Sequence, residues 1–191
     1  MTPTRLLPLL AAALQLVACA GTPPATPEAA DALATFVIVR HGEKLASPDP
    51  DPGLAAEGLA RAGRLARSLA DEPLVAVYPT DYRRTRATVQ PAARLHDLQP
   101  LSYDAHMSAR ELAARLMARH RSGTVLVAGH SNTVPAIVAA LCTCATTAMA
   151  ESEYDRISIV RIDHAGRPSL EVRRDTAAGE ASKRDDAPAR N

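Results

Sequence analysis

Short aliphatic and β-branched runs alternate along this chain with stretches of helical periodicity, and this alternation constrains the fold more than any other feature. Residues 35–39 (Thr-Phe-Val-Ile-Val), 74–78, 100–103 and 123–128 (Gly-Thr-Val-Leu-Val-Ala) read as four strands, the first a continuous apolar run of the kind buried on both faces. Between them, residues 54–69 place Ala55, Leu59, Ala62, Ala66 and Leu69 on one helical face, with Arg61, Arg64 and Arg67 directed elsewhere. Residues 84–96 form a helix that Pro91 is expected to bend or shorten, and residues 108–120 an arginine-rich one. Residues 132–141 make an apolar helix with Pro135 tolerated in its first turn. Residues 157–162 and 169–173, separated by His164-Ala165-Gly166, read as a closing hairpin. The expected fold is α/β: a largely parallel central sheet flanked by helices on both faces, with an edge hairpin near the C-terminus and ligands at the carboxyl ends of the strands. A chain of 191 residues, 47% of them apolar, suffices for one such domain, here residues 35–174.

The flanks carry different signals. Residues 1–18 read as a secretory signal peptide: Arg5 gives a positive start, and an apolar stretch follows that is too short and too interrupted to span a membrane. It ends Leu16-Val17-Ala18-Cys19, which resembles a bacterial lipobox. That resemblance implies cleavage before Cys19, lipid on Cys19 and a membrane partner held through this anchor; Ala20 in place of Asp leans towards the periplasmic face of the outer membrane. Residues 19–34 form a Pro-rich spacer, and residues 175–191, polar and without apolar period, are expected to be a disordered tail. Export sets an oxidising compartment, in which Cys142 and Cys144 either stay buried thiols or form a local disulfide. Two cysteines with no second pair do not make a zinc site.

Composition removes several functions. The chain has no tryptophan and few aromatics, which argues against stacking platforms for single-stranded nucleic acid. A formal net charge of +1 leaves no polyanion-binding tail. All basic residues except Lys44 and Lys183 are arginine, which favours planar, bidentate anion recognition wherever they cluster.

Each predicted strand stops at chemically capable residues: Arg40-His41-Gly42-Glu43-Lys44, then Thr80-Asp81-Tyr82-Arg83-Arg84-Thr85, then Asp104, then Gly129-His130-Ser131-Asn132. A parallel sheet gathers all four clusters on one edge. Two arginines, two histidines and a carboxylate can together bind a tetrahedral dianion, attack it with a neutral imidazole and protonate what leaves. No cofactor or metal is required, and arginine beside each candidate histidine repels a cation.

Arg40-His41-Gly42-Glu43 resembles the Arg-His-Gly signature of the histidine phosphatase (phosphoglycerate mutase-like) superfamily. Leu54-Ala55-Ala56-Glu57-Gly58 is similar to its Leu-x-x-x-Gly helix start, residues 80–88 to its Ser-x-x-x-Arg-(Ala/Thr)-x-x-Thr segment, and Gly129-His130 to its second histidine. The resemblance covers roughly residues 36–140. It implies that His41 is a nucleophile that becomes phosphohistidine, that Arg40, Arg84 and His130 hold the phosphoryl oxygens, and that a small phosphorylated substrate is hydrolysed. The family commonly places the general acid after the third strand, where this chain has Asp104; Glu43 and then Asp81 are the alternatives. Lys44 is either a phosphate ligand or solvated.

The remaining histidines, His96, His106, His120 and His164, are expected to be solvated, as are Arg61, Arg64, Arg67, Arg110, Arg115 and Arg119. Tyr82, Tyr103 and Tyr154 either line an entrance or pack in the core. Two other functions are carried forward. Gly129-His130-Ser131-Asn132-Thr133 approaches the Gly-x-Ser-x-Gly elbow of α/β-hydrolase esterases, with Ser131 as nucleophile and Thr133 in place of the last glycine. A non-catalytic lipoprotein binding phosphate or an anionic glycan would use the same arginines.

Overall fold

The computed structural model describes residues 32–176. The expected signal peptide and Cys19, and nearly all of the expected tail, lie outside these residues. In chain order the elements are β1 (Ala32–Arg40), α1 (Ala56–Ser68), β2 (Leu74–Pro79), α2 (Arg83–Leu95), α3 (Ala109–Arg119), β3 (Gly123–Gly129), α4 (Val134–Cys142), β4 (Arg156–Asp163) and β5 (Pro168–Arg174). They build one five-stranded sheet in the order β2-β3-β1-β4-β5. β2, β3 and β1 run parallel, while β4 pairs antiparallel with β1 and β5 antiparallel with β4. The α/β architecture and the closing hairpin are therefore as the sequence pattern implies.

Alternate residues of the strands feed two cores. Phe36, Ile38, Val125 and Val127 pack with Leu112 and Leu116 of α3 and Ile137 and Leu141 of α4. Val37, Val39, Val77 and Leu126 pack on the other face with Leu65 and Ala66 of α1 and Val89, Ala92 and Ala93 of α2. Each fully buried aliphatic side chain contributes on the order of 1.5–3 kcal/mol relative to exposure. The continuous apolar run in β1 follows directly from its burial on both faces.

Several details differ from the sequence pattern. β1 starts at Ala32, so the end of the expected spacer is strand. Residues 100–103 do not form a strand: Leu101 and Tyr103 donate to the carbonyls of Val77 and Pro79, giving only an isolated bridge between Thr80 and Tyr103 at the sheet edge. α2 continues through Pro91 to Leu95. In α1 the buried side is Gly58, Ala62, Leu65 and Ala66, and Leu59 is 56% exposed, because the helix turns its glycine rather than its leucine toward the sheet. Arg61 and Arg64 are not solvated: both bind the carboxylate of Asp175, Arg61 at 2.5 Å and Arg64 at 2.7 Å. Asp175 is thus fastened to α1 although the sequence assigns it to the tail. His96 meets the Leu69 carbonyl at 2.9 Å and His120 the Tyr78 hydroxyl at 2.8 Å, so neither is simply solvated. Cys142 and Cys144 form a disulfide, made possible because Thr143 adopts a left-handed φ of 51° and brings the two Cα atoms to 5.1 Å.

The contact that matters most for the site is between two glycines. A Cβ on Gly42 would lie 2.9 Å from the Cα of Gly58, and one on Gly58 would lie 2.3 Å from the carbonyl oxygen of Glu43. The first turn of α1 thus rests directly on the backbone that follows β1. Alanine in place of glycine normally stabilises a helix interior by roughly 0.5–1 kcal/mol. Here Gly58→Ala is expected to destabilise the protein, by about 1–3 kcal/mol, because backbone must move to admit the methyl group. Urea denaturation measures the change, and a stabilised Gly58→Ala protein would contradict the contact.

Candidate active site

The carboxyl ends of β1 and β3 and the residue after β2 bring the chemistry to one edge. Arg40 is the last residue of β1 and His41 the next; Thr80 follows β2, and His130 follows β3. The His41 amide donates to the Gly129 carbonyl at 3.0 Å. The Gly42 amide donates to the Thr88 hydroxyl on α2 at 3.0 Å, and that hydroxyl donates in turn to the Arg84 carbonyl. The loop after β1 is therefore fixed from both sides by the elements that carry the second histidine and the second arginine.

His41 is buried. Its Nδ1 lies 2.8 Å from the Gly42 carbonyl oxygen. A carbonyl can only accept, so Nδ1 carries the proton and Nε2 keeps its lone pair. Burial, with the Arg40, Arg84 and His130 charges, pulls the imidazole from its ordinary 6.5 down to about 4, against the opposing pull of the Gly42 bond. His41 is thus a neutral, oriented imidazole at physiological pH, in the state that nucleophilic attack by Nε2 requires.

The groups around it are cationic or neutral. Arg40 is 2% exposed, yet its guanidinium is not free. Nη1 donates to the carbonyls of Ala150, Glu151 and Glu153 at 3.1, 2.7 and 3.1 Å, and Nη2 pairs with the Glu151 carboxylate at 3.0 Å. Its face lies 4.0 Å from the centre of the Tyr154 ring. Arg84, in the first turn of α2, stacks on Tyr82 at 4.3 Å and touches Asp51 at 3.3 Å. Nε of Arg40 and Nε of Arg84 are the buried side-chain nitrogens or oxygens among the described residues that have no hydrogen-bond partner. The His130 ring stands 5.4 Å from that of His41, and its Nε2 is 3.1 Å from the Thr80 hydroxyl. Burial first, then Arg84 and Arg40, lower its pKa to about 4 as well. Arg40, His41, Tyr82, Arg84 and His130 line a cavity of about 390 Å³, with Lys44 and His106 also in its wall.

None of the three candidate proton donors is among the residues that line this cavity. Asp104 is exposed, accepts the His106 amide at 2.8 Å, and is not among the lining residues. Glu43 is clamped by Arg61 through Nε and Nη2, the closest contact being 2.6 Å; burial is the largest single influence and opposes its ionisation, but the Arg61 fork, its own backbone amide and the Arg61 and Arg64 charges together hold the carboxyl below the usual range. Asp81 is exposed and paired with Arg86. The carboxylate that does line the cavity is Glu151, from the irregular segment between α4 and β4. Sequence reasoning missed it, since no periodicity or motif marks that segment. Ser131 donates its hydroxyl to Glu151, and no imidazole accepts it, so the geometry of an esterase elbow is not formed. Tyr82 lines the cavity, Tyr103 is buried, and Tyr154 serves as the platform under Arg40.

A family model described as the histidine phosphatase superfamily (branch 1) matches residues 36–113. No curated protein matches the chain. Among solved structures, the protein histidine phosphatase SixA complexed with tungstate is 21% identical with a TM-score of 0.60, over 72% of this chain and 94% of that one. A mutant phosphoserine phosphatase from Entamoeba histolytica in complex with phosphoserine is 14% identical, with a TM-score of 0.55 over 72% and 95% of the two chains. The mycobacterial glucosyl-3-phosphoglycerate phosphatase is 14% identical, with a TM-score of 0.57 over 74% and 99%. At these identities the likeness speaks for a shared fold.

The protonation of His41 is directly measurable. In nitrogen-detected NMR spectra it is expected as the neutral Nδ1–H tautomer at neutral pH, taking up a proton only near pH 4; an imidazolium at pH 6.5 or an Nε2–H tautomer would contradict the geometry. The Arg-His-Gly loop, the helix start at Gly58 and Arg84 all lie inside the segment, residues 36–113, that matches the histidine phosphatase superfamily model, and the chain shares the fold of the neighbouring phosphatase structures.

Proposed function

We propose that this chain is a phosphomonoester hydrolase that works through a phosphohistidine on His41, without a metal ion, at the bacterial cell envelope. The observation that carries this reading is the state of His41: neutral, with Nδ1 tied to a carbonyl and Nε2 available beside two arginines. Nε2 attacks phosphorus, the ester P–O bond breaks, and the leaving oxygen takes a proton. Water then attacks the phosphohistidine, the P–N bond breaks, and inorganic phosphate leaves with His41 restored. Arg40, Arg84 and His130 offer donors to the phosphoryl oxygens as charge builds in each transition state. The arginines supply the positive charge that a divalent ion supplies in metallophosphatases.

A cavity of about 390 Å³ suits a small phosphorylated molecule or one phosphorylated side chain. The names of the fold neighbours, which include phosphatases for protein histidine, phosphoserine and a sugar phosphoglycerate, support a phosphorylated substrate. Envelope placement is supported by the Leu16-Val17-Ala18-Cys19 pattern and by the Cys142–Cys144 disulfide, a bond that persists in oxidising compartments.

The full chain in detergent, assayed with p-nitrophenyl phosphate in EDTA, is expected to turn over, and His41→Ala to fall to background. A rate that survives in His41→Ala would remove His41 as nucleophile, and folded wild type that binds phosphate without turnover would favour the binding-lipoprotein function. Labelling of cells with a radioactive fatty acid is expected to mark the wild-type protein and not Cys19→Ala; equal labelling would remove the lipid anchor from the proposal.

A further inference from the structure

We infer that Glu151, and not the carboxylate after residue 103, is the proton donor of the reaction, and that the substrate itself arms it. This assignment rests on the phosphatase reading above. Glu151 is the carboxylate in the wall of the cavity that holds His41. One of its oxygens is 3.0 Å from Nη2 of Arg40 and the other accepts the hydroxyl of Ser131, so it occupies the ground between two groups that surround the nucleophile. Its side chain is 81% exposed, while its backbone is held: the carbonyls of Ala150, Glu151 and Glu153 bind Nη1 of Arg40. The carboxylate can therefore swing without the segment leaving its place.

In the free protein the Ser131 hydroxyl first, with the Arg40 and Lys44 charges, holds this carboxyl below its ordinary range, against the opposing effect of burial, which is second only to Ser131. A phosphoryl dianion competes for the same two donors. Once it takes Arg40 and Ser131, the carboxylate loses the partners that held its charge and stands beside two new negative charges, so it takes a proton from solvent. The acid then donates that proton to the leaving oxygen as Nε2 of His41 forms the P–N bond and the P–O bond breaks. In the second step the same carboxylate accepts a proton from the attacking water, and release of phosphate returns it to Arg40 and Ser131. Among the described residues no other carboxylate combines these contacts: Asp104 caps its own turn, Glu43 is held by Arg61, and Asp81 by Arg86.

The test is the dependence of kcat/KM, which reports formation of the phosphohistidine, on the basicity of the leaving group. Glu151→Gln, Glu151→Asp and Asp104→Asn are compared with wild type on p-nitrophenyl phosphate, phenyl phosphate and an alkyl phosphate. Glu151→Gln is expected to lose about 10²- to 10⁴-fold on the alkyl phosphate and much less on p-nitrophenyl phosphate, whose leaving group needs no proton. Glu151→Asp restores part of the alkyl rate and Asp104→Asn keeps the wild-type slope. An equal loss on all three substrates, or a gain with tighter inhibition by inorganic phosphate and an unchanged slope, overturns the assignment and makes Glu151 only a competitor for the phosphate position. A steeper slope in Asp104→Asn instead returns the role to Asp104. Wild type inactive on every phosphomonoester overturns the phosphatase reading, and this assignment with it.

Discussion

The buried guanidinium of Arg40 is the interaction on which the rest of the site depends. A guanidinium at 2% exposure without partners would cost several kcal/mol, and the partners come almost entirely from backbone, the carbonyls of residues 150, 151 and 153. The dependence runs both ways. Residues 143–155 have no helix or strand of their own, so their carbonyls need donors; Arg40 supplies them at one end and Arg156, bonded to the carbonyls of Thr147 and Ala148, at the other. Because peptide carbonyls carry no charge, this arrangement satisfies Arg40 through Nη1 while its positive charge stays available to an anion.

The antiparallel strand makes that arrangement possible. β1, β3 and β2 end together, which brings Arg40, His41, Thr80 and His130 to one edge. A fourth parallel strand would begin at the opposite edge. β4 instead pairs with Val39 through Ile157 at its start, so the segment entering β4 arrives at the end of β1. The chain thereby returns to the site with Glu151 and Tyr154. The mixed sheet is part of how the site is built, and the hairpin of β4 and β5 does more than close an edge.

What was legible in the sequence was whatever repeats or is local. The β-branched runs gave the strands because burial on both faces demands them, and the Arg-His-Gly and Gly58 motifs stood out because short backbone contacts tolerate few residues there. The rest depends on contacts distant in sequence. Arg61 and Arg64 carry the spacing of a solvated helix face, and only the path of the chain after β5 brings Asp175 to them. Leu59 fits the apolar period, but the close approach of Gly58 to residue 43 rotates it outward. Residues 100–103 have strand composition but only one neighbour at the sheet edge and too few residues to pair along it. Glu151 lies in a stretch whose position is decided by an arginine 111 residues away, so no local pattern announces it.

In the proposed reaction, the same positive field sets both the nucleophile and its substrate. Lowering the basicity of His41 weakens it somewhat as a nucleophile, yet it keeps Nε2 unprotonated across the pH range in which phosphomonoesters become dianions. Binding of the dianion offsets the charges of Arg40 and Arg84, so the imidazole regains basicity as the reacting atoms meet. The positive charge that then develops on the ring is stabilised by the phosphoryl group and by the Gly42 carbonyl at Nδ1. A histidine held by a carboxylate would carry its charge more readily in the free protein, and would lie protonated and unreactive for more of the time. A carbonyl partner among arginines therefore suits a nucleophile that must stay neutral until its substrate arrives.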